Sequence, residues 1–367
     1  MKKKIVVISG ANLFGGGTLS ILKDCLHYAN ENLCNEYEVY ALIHNAKDFV
    51  GYANIKFLEF REVRKSYFNR LYYEYWYYKR LSTELQPYLW LSMNDMSSNV
   101  YAERRAVYCH NPTPFKKLVL SDIWNQTQVF FFTLFYKFLY RINIRKNNYV
   151  IVQQNWLRIA FSKMFKLDLQ KIIVSPPKVI SKIELSEANK VGRITKTFFF
   201  PTYPRPFKNI AVIGEAVKIL NAEGFNDFSV LITVDGSENQ YAATIVKNYD
   251  HLAQMKFLGL ISREEVFNLY QDVDYLIFPS TLETWGLPIT EFKLFNKPIL
   301  LSDLEYAHET LGDYHAAAFF DPENPKSLVY LMSEILKGKY EFESHKSIPI
   351  KGPLANNWKE LFTILLE

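Results

Sequence analysis

The sequence predicts an α/β protein with two domains, each built on a doubly wound parallel sheet. Its 367 residues are enough for two hydrophobic cores of ordinary size. Short apolar strands alternate with helical stretches in two series, which is typical of parallel sheets covered by helices on both faces. A polar stretch beginning with Ser175-Pro-Pro-Lys178 separates the two series and indicates a linker. We therefore expect a first domain over residues 1–177 and a second over residues 178–353.

The first series supplies the elements of the amino-terminal domain. An apolar strand runs into a glycine-containing loop and a helix, and the later strands are short, β-branched or aromatic, and bounded by turn residues. Strands are expected at Ile5–Ser9, Val39–Ile43, Ala106–His110 and Tyr149–Gln153, and a helix at Thr18–Asn30.

The second series repeats this alternation and predicts the carboxyl-terminal domain. Strands are expected at Thr197–Phe200, Ser229–Thr233, Tyr275–Phe278 and Pro298–Leu301. Helices are expected at residues 209–222, 263–271, 289–295 and 326–337. The last segment, Asn357–Leu366, has apolar residues at helical spacing and predicts an amphipathic helix.

The composition is that of an ordinary globular protein, with 49% hydrophobic and 22% charged residues. Its three cysteines lack metal-ligand spacing, which indicates a reduced, cytoplasmic chain. No apolar run reaches the length that crosses a bilayer. Residues 1–177 contain 24 Lys and Arg against 13 Asp and Glu, a net charge of +11, whereas the remainder carries −6. The basic half points to an anionic partner.

The most informative stretch of the chain runs from Leu276 to Glu291. It predicts a buried strand, a loop that contains Glu283, and a helix with Glu291 in its first turn. Ligands of open α/β sheets bind at the carboxyl ends of the strands. The amides of the loop and of the helix start attract anions there. Two carboxylates beside such amides suit a ligand with hydroxyls and phosphates, such as a nucleotide sugar.

This stretch and its surroundings resemble glycosyltransferase family 4, whose members share a Glu-x7-Glu motif. The resemblance extends through residues 261–274, 296–303 and 309–313, and covers roughly residues 200–325. It implies the GT-B fold, in which two Rossmann-like domains face a central cleft, and transfer with retention at the anomeric carbon. It also implies that the terminal helix, residues 354–367 with Trp358, packs back on the first domain.

The resemblance assigns donor-binding roles to the loop and helix around the two glutamates. Glu291 would accept hydrogen bonds from the ribose hydroxyls, and Glu283 would lie beside the transferred sugar. Trp285, Gly286 and Leu287 belong to the same donor site. Family members often have Glu-Gly-Phe-Gly where this chain has Glu-Thr-Trp-Gly, so the amide contacts of the loop stay open. The alternative roles are structural. The carboxylate of Glu291 would interact favourably with the helix dipole, and Glu283 would cap nearby amides.

Arg205 and Lys208 lie between a strand end and a helix start, in a loop stiffened by prolines. Two cations at a helix N-terminus could neutralise a diphosphate leaving group, and family members have an Arg and a Lys there for that task. Arg205 is closer to Lys208 than the usual spacing. The alternative is a solvated basic loop.

Two further candidates lie in the amino-terminal half. Gly15, Gly16 and Gly17 do not fit the dinucleotide pattern Gly-x-Gly-x-x-Gly, but the family has a glycine-rich first loop over the donor phosphates. The alternative is a tight turn. His110 ends a strand and resembles a family histidine near the donor sugar, the alternative being a structural histidine.

No metal ion is expected. Asp272-Val-Asp274 matches the Asp-x-Asp metal motif of other glycosyltransferases only superficially, because it precedes a buried strand where this family has a structural aspartate. Residues 64–80 and 129–146 interleave basic and aromatic residues. Such segments suit a membrane interface or, less well, nucleic acid. The alternative is a helix with an aromatic core face and a solvated basic face.

Together these observations predict a retaining hexosyltransferase that uses a nucleoside-diphosphate sugar. The expected acceptor is a lipid-diphosphate-linked glycan at the cytoplasmic face of the membrane, in the synthesis of a bacterial surface polysaccharide such as O-antigen or capsule. We expect a peripheral membrane protein that needs no cofactor and binds no nucleic acid. The alternatives are a non-catalytic polysaccharide- or lipid-binding subunit and a nucleotide-sugar epimerase of the same fold.

Overall fold

The computed structural model describes residues 3–116, 127–177 and 195–367. The chain divides into two compact units, one formed by Met1–Lys178 with Ile350–Glu367 and the other by Val179–Pro349. Within the described residues, each unit contains one seven-stranded sheet. In the described residues, no helix is long and apolar enough to span a bilayer. The predicted linker lies mainly outside the described residues.

The first unit alternates strands and helices along most of its length. Its strands are β1 (Lys4–Ser9), β2 (Tyr37–Ile43), β3 (Lys56–Glu59), β4 (Leu89–Ser92), β5 (Arg104–Tyr108), β6 (Tyr149–Val152) and β7 (Ile172–Val174). Its helices include α1 (Gly16–Tyr28), α2 (Tyr67–Tyr72), α3 (Tyr78–Leu85), α4 (Thr127–Arg141) and α5 (Asn155–Phe165). A π-helical turn at Tyr73–Tyr77 joins α2 to α3.

The second unit continues the alternation. Its strands are β8 (Lys196–Phe200), β9 (Phe228–Ile232), β10 (Met255–Phe257), β11 (Tyr275–Phe278), β12 (Ile299–Ser302), β13 (Tyr314–Phe320) and β14 (Glu343–His345). Its helices are α6 (Ile210–Ala222), α7 (Gln240–Tyr249), α8 (Arg263–Asp272), α9 (Leu287–Lys293), α10 (Glu305–Leu311) and α11 (Pro325–Leu336). The chain then returns to the first unit and ends in α12 (Trp358–Leu366).

Both sheets have the strand order of a doubly wound fold. The first is β3-β2-β1-β4-β5-β6-β7 and the second is β10-β9-β8-β11-β12-β13-β14. All pairings in the first sheet are parallel, and in the second only β14 runs antiparallel. The order reverses between β1 and β4, and again between β8 and β11. The loops that follow these strands flank a topological switch point, where α/β proteins bind ligands.

The strands are apolar because helices cover both faces of each sheet. Phe198, Phe199 and Phe200 of β8 are all fully buried, as expected of a central parallel strand. Beside them, α8 begins with a capping box between Ser262 and Glu265, which satisfies amides of its first turn. These signals explain why the helix predicted at 263–271 begins where the sequence indicates.

The terminal helix packs within the first unit. Its residues Leu361, Phe362 and Leu365 are buried in the same core cluster as α1. The ring of Phe362 stacks on Tyr28 at 5.7 Å between centroids, and Tyr88 Oη donates to the carbonyl of Leu366 at 2.9 Å. Burial of the apolar stripe of α12 against α1 therefore completes this core.

Candidate functional site

Two loops lie at the switch point of the second sheet, because β8 and β11 are neighbours. The first follows β8 and ends in a 3₁₀ turn, Pro206–Lys208, immediately before α6. The second follows β11 and leads to α9. The amide of Thr281 in the second loop donates to the carbonyl of Phe207 in the first at 2.7 Å. This bond joins the loop that contains Lys208 to the loop that contains Glu283, although the two residues are far apart in sequence.

Lys208 and Glu283 form an ion pair across these loops. Lys208 Nζ lies 2.5 Å from Glu283 Oε1, and the two side chains are 18% and 13% exposed. The ammonium group also lies 5.6 Å from the centroid of the Phe278 ring. A cation and a carboxylate are thus held side by side at a largely buried position, where electrostatic interactions are stronger than in water.

Arg205 lies on the same loop but is not part of this pair. Its side chain is exposed, and its guanidinium lies 5.5 Å from the centroid of the Tyr203 ring. The residue is the N-cap of the 3₁₀ turn that contains Lys208. Its position leaves the guanidinium accessible to a ligand from solvent.

Glu291 is not in the first turn of a helix, as we expected, but in the second turn of α9. The helix begins at Leu287, two residues before the predicted start, because Gly286 provides a left-handed N-cap. A dipole interaction in the first turn therefore does not explain this carboxylate. Its side chain is 10% exposed and accepts hydrogen bonds from Arg263 Nη2 at 3.0 Å and from Tyr270 Oη at 3.2 Å.

Burial raises the pKa of Glu291, and Arg263 and Tyr270 oppose this effect. Loss of water disfavours the ionised carboxylate, whereas a nearby cation and a hydroxyl donor favour it. The raised pKa means that these two partners do not fully compensate for desolvation. A buried, incompletely compensated acceptor is a suitable partner for further hydroxyl donors.

Gly286 allows the sharp turn between the loop and α9. Its φ is +80°, a conformation that residues with a Cβ rarely adopt. A Cβ there would also lie 3.2 Å from Ile289 Cδ1 and 3.3 Å from Phe278 Cε1. The next helix position, Leu287, precedes a proline at the start of α9, which favours helix initiation.

Hydrogen bonds hold both the side chain and the backbone carbonyl of Trp285. Its indole Nε1 donates to Thr290 Oγ1 at 2.9 Å, and its carbonyl accepts from the hydroxyl of Thr310 in α10. A second contact from α10, from Tyr306 Oη to the carbonyl of Ser280 at 2.6 Å, anchors the start of the same loop. The backbone around Glu283 is therefore held by α10 on either side.

The candidate residues of the first unit lie at the carboxyl edge of its own sheet. Gly15 is the N-cap of α1 in an extended conformation, with φ −172°, and a Cβ on it would meet nothing within 4 Å. Gly16 and Gly17 open the helix. The space around Gly15 fits close approach of a ligand, but neither strain nor packing requires glycine there.

His110 follows β5 rather than ending it. Its ring is buried and stacks on Tyr108 with centroids 4.5 Å apart. Nδ1 lies 3.4 Å from Gln153 Nε2, while Nε2 is buried and has no hydrogen-bond partner among the described residues. Burial lowers the pKa of this histidine, and the charge of Asp95 opposes the shift. A backbone hydrogen bond with Met93 also opposes the shift, so burial is the effect that favours the neutral imidazole.

Asp274 has a structural role. Its Oδ2 accepts hydrogen bonds from the amide of Thr197 at 2.8 Å and from its hydroxyl at 2.9 Å. These bonds join the start of β11 to β8. The carboxylate is thereby committed to the sheet, as the sequence analysis anticipated for this position.

Residues 185–351 match the model of the family described as glycosyl transferases group 1. The matched residues lie mainly in the second unit, which is therefore similar to this family. The match includes β8, both switch-point loops and α9. The predicted resemblance to glycosyltransferases is confirmed at the level of this group, while the assignment to family 4 stays a prediction.

Similar proteins agree with this assignment. The O-antigen chain mannosyltransferase RfbU of Salmonella typhimurium is 24% identical over 197 residues, which are 53% of this chain and 52% of the relative. The chain thus spans about half the length of the curated relative that it matches. A solved glycosyltransferase from Rickettsia africae has a TM-score of 0.65 at 15% identity, covering 92% of this chain and 89% of its own.

A second solved structure is the Anabaena protein Alr3699/HepE in complex with UDP and glucose. It has a TM-score of 0.61 at 13% identity and covers 92% of this chain and 91% of its own. At such identities the likeness concerns the fold. The predicted GT-B fold, with two Rossmann-like parallel-sheet units, is confirmed.

Two residues that contact a predicted site residue were not predicted from the sequence. Arg263 and Tyr270 lie on α8, 28 and 21 residues before Glu291 in the sequence, and both donate hydrogen bonds to its carboxylate. A local signal existed, since both lie on the helix before β11 and are seven residues apart, which puts them on one helical face. Only the packing of α8 beside α9 identifies the carboxylate that they contact.

Proposed function

We propose that this protein is a retaining glycosyltransferase that moves a hexosyl group from a nucleoside-diphosphate sugar to a lipid-diphosphate-linked glycan. The observation that carries the proposal is the Lys208–Glu283 ion pair at the switch point of a unit that is similar to group 1 glycosyl transferases. The O-antigen chain mannosyltransferase among its relatives supports surface-polysaccharide synthesis as the setting. The UDP and glucose bound to the Anabaena protein support a nucleotide-sugar donor.

The cations of the first loop would stabilise the leaving group. A departing diphosphate gains negative charge as the glycosidic bond breaks, and cations held in place before the reaction stabilise that charge most effectively. Lys208 is held near this position by Glu283, and the exposed Arg205 can approach the diphosphate from solvent. We propose that the diphosphate replaces Glu283 as the partner of Lys208.

The carboxylates would orient the donor. Glu291 would accept hydrogen bonds from two ribose hydroxyls, with Arg263 and Tyr270 holding its orientation. Glu283, once released from Lys208, would accept from hydroxyls of the sugar. Trp285, Gly286 and Leu287 would fix the loop amides around the diphosphate.

We further propose that the protein acts as a peripheral protein at the cytoplasmic face of the membrane, where lipid-linked acceptors are available. The positive charge of residues 1–177 supports an anionic surface or acceptor as its partner. No metal ion is needed in this scheme, because Lys208 and Arg205 supply the charge that a divalent cation would supply.

The proposal is tested by donor binding followed by transfer. The purified protein is heated with UDP-, GDP- and dTDP-sugars, and the donor that raises the unfolding temperature is selected. Transfer from that donor to a membrane-lipid extract is then measured for the wild type and for Lys208→Ala. Lys218→Ala serves as the matched control, since Lys218 pairs with Glu215 on α6, apart from the two loops.

Transfer by the wild type and the control, with loss in Lys208→Ala, supports the proposal. Conversion of the donor without any acceptor would indicate an epimerase instead. Binding of glycan or lipid without consumption of any donor would indicate a non-catalytic subunit. Full activity of Lys208→Ala would remove the proposed role of the ion pair.

A further inference from the structure

Helices α2 and α4 of the first unit expose a row of aromatic and aliphatic side chains. Phe68 and Tyr72 on α2 are 83% and 54% exposed, and Trp76 in the following π-helical turn is 65% exposed. On α4, Leu134 and Phe138 are 43% and 62% exposed. Residues four apart lie on one face of a helix, so each helix presents a continuous apolar strip. We call these five side chains the aromatic face.

The two helices that form the aromatic face contact each other. The rings of Tyr67 and Phe135 meet at 5.7 Å in an edge-on arrangement. Beneath them, Arg70 Nη1 donates to Tyr136 Oη at 3.2 Å, and both side chains are buried. The aromatic face is therefore one surface supported by a packed interior, rather than two unrelated strips.

Charges around the aromatic face are basic. The only acidic residue between Tyr67 and Tyr77 is Glu74, which is fully buried, and residues 127–146 contain none. Arg64, Lys79 and Arg141 are exposed beside or within the same elements. An exposed aromatic face bordered by cations, with no exposed carboxylate between Tyr67 and Tyr77 or in residues 127–146, matches the interface of a bilayer with anionic headgroups.

A buried polar network ties both helices to the loop after β4. Arg70 Nη2 donates to the carbonyl of Asn94 at 2.7 Å. Asp95 Oδ1 accepts from Tyr140 Oη of α4 at 2.8 Å and from the amide of His110 at 2.5 Å. The elements that carry the aromatic face are thus connected, through Asp95 in the loop after β4, to the loop that contains His110 at the carboxyl edge of the first sheet.

We propose that the aromatic face is the surface by which this protein docks on an anionic lipid bilayer. The inference deepens the proposed function and rests on it for the purpose of docking, which is to reach a lipid-linked acceptor. Phe68, Trp76 and Phe138 insert at the level of the headgroups, and the surrounding cations bind the anionic lipids. The buried network then keeps the His110 loop at a fixed distance from the membrane surface.

The test is co-sedimentation of the full chain with vesicles. Vesicles of phosphatidylcholine alone are compared with vesicles of equal parts phosphatidylcholine and phosphatidylglycerol. The binding variant is Phe68→Ser, Trp76→Ser, Phe138→Ser, in which all three residues are exposed and the fold should be retained. The matched control is Tyr330→Ser on α11, where the tyrosine is 63% exposed in the second unit.

We expect the wild type and the control to bind the anionic vesicles at least about tenfold more tightly than the neutral ones. The triple variant should lose most of this binding while keeping the wild-type unfolding temperature. A charge variant, Lys79→Glu with Arg141→Glu, should lose the preference for phosphatidylglycerol.

Equal binding by the triple variant and the wild type would overturn the inference. So would concentration-dependent dimerisation without lipid that the triple variant abolishes, or binding of nucleic acid in place of vesicles through the same residues. Donor protection against heat is measured on the same variants. Vesicle binding without donor binding would defeat the proposed function alone, and donor transfer without vesicle binding would defeat only the docking surface.

Discussion

Lys208 and Glu283 are ion-paired at 2.5 Å although they are 75 residues apart in sequence. The pair joins the loops after two adjacent strands at the switch point of the second sheet. Both side chains are more than four-fifths buried. Removing either partner leaves the other charge poorly solvated, which destabilises more than the loss of a surface pair.

We expect Lys208→Met and Glu283→Gln each to lower the free energy of unfolding by about 2 kcal/mol. The double variant should lose clearly less than the sum, because it leaves no uncompensated charge. Urea unfolding of the four proteins measures this coupling. Additive losses would show that the two residues do not interact in solution.

The raised pKa of Glu291 predicts how donor binding depends on pH. The ionised carboxylate accepts hydrogen bonds from ribose hydroxyls, and the protonated form accepts them poorly. Donor affinity should therefore fall as the pH decreases through a value above 4.5, the ordinary value for glutamate. Titration of donor binding at a series of pH values measures this limb. Its absence in the wild type would contradict the role of Glu291.

The same pKa shift predicts the sign of an effect on stability. A carboxyl group whose pKa is raised by folding contributes stability below its ordinary pKa and loses that contribution as the pH rises through the raised value. Glu291→Gln, which stays neutral, should therefore gain stability relative to the wild type as the pH rises toward neutrality. Unfolding temperatures at acid and neutral pH test this. If the wild type instead gained stability relative to the variant as the pH rises, the predicted sign would be wrong.

Arg263 should control the pH at which donor affinity falls on the acid side, which we call the acid limb. Its guanidinium lowers the pKa of Glu291, against the larger effect of burial. In Arg263→Met the limb should move to higher pH, with donor affinity at alkaline pH changed much less. Arg205→Met provides a contrast, since it should weaken donor binding at every pH without moving the limb. An unmoved limb in Arg263→Met would exclude this control.

Gly286 offers a test of the turn before α9. Gly286→Ala places a Cβ at φ +80° and within 3.3 Å of Phe278, so we expect a loss of about 2 kcal/mol in unfolding free energy. Gly224→Ala is the control, because its φ is +89° with nothing within 4 Å of a Cβ. It should lose about 1 kcal/mol from backbone strain alone. Equal losses would mean that contact with Phe278 costs nothing.

Chelation tests the expectation that no metal ion takes part. If Lys208 and Arg205 supply the positive charge at the leaving diphosphate, transfer should continue at an unchanged rate in excess EDTA. The rate is measured before and after dialysis against the chelator, with Mg²⁺ and Mn²⁺ restored separately as controls. Loss of activity that a divalent ion restores would contradict the expectation.

Much of the fold and part of the candidate site could be predicted from local patterns. The apolar run at Tyr275–Phe278 gave the bounds of β11, since a buried parallel strand is apolar at every position. The helix after it was placed two residues late. Its N-cap is Gly286 in a left-handed conformation. Glu291 therefore lies in the second turn of the helix and not in the first turn, as the sequence had indicated.

The sequence by itself determined the two α/β halves, the loop that contains Glu283, and the basic residues before α6, because helix periodicity, strand hydrophobicity and turn residues act over a few positions. Only the tertiary structure decided which distant residues meet. The crossover that places β11 beside β8 joins Lys208 to Glu283, and the packing of α8 beside α9 gives Glu291 its partners Arg263 and Tyr270. Such contacts depend on strand order and burial, which no local pattern encodes.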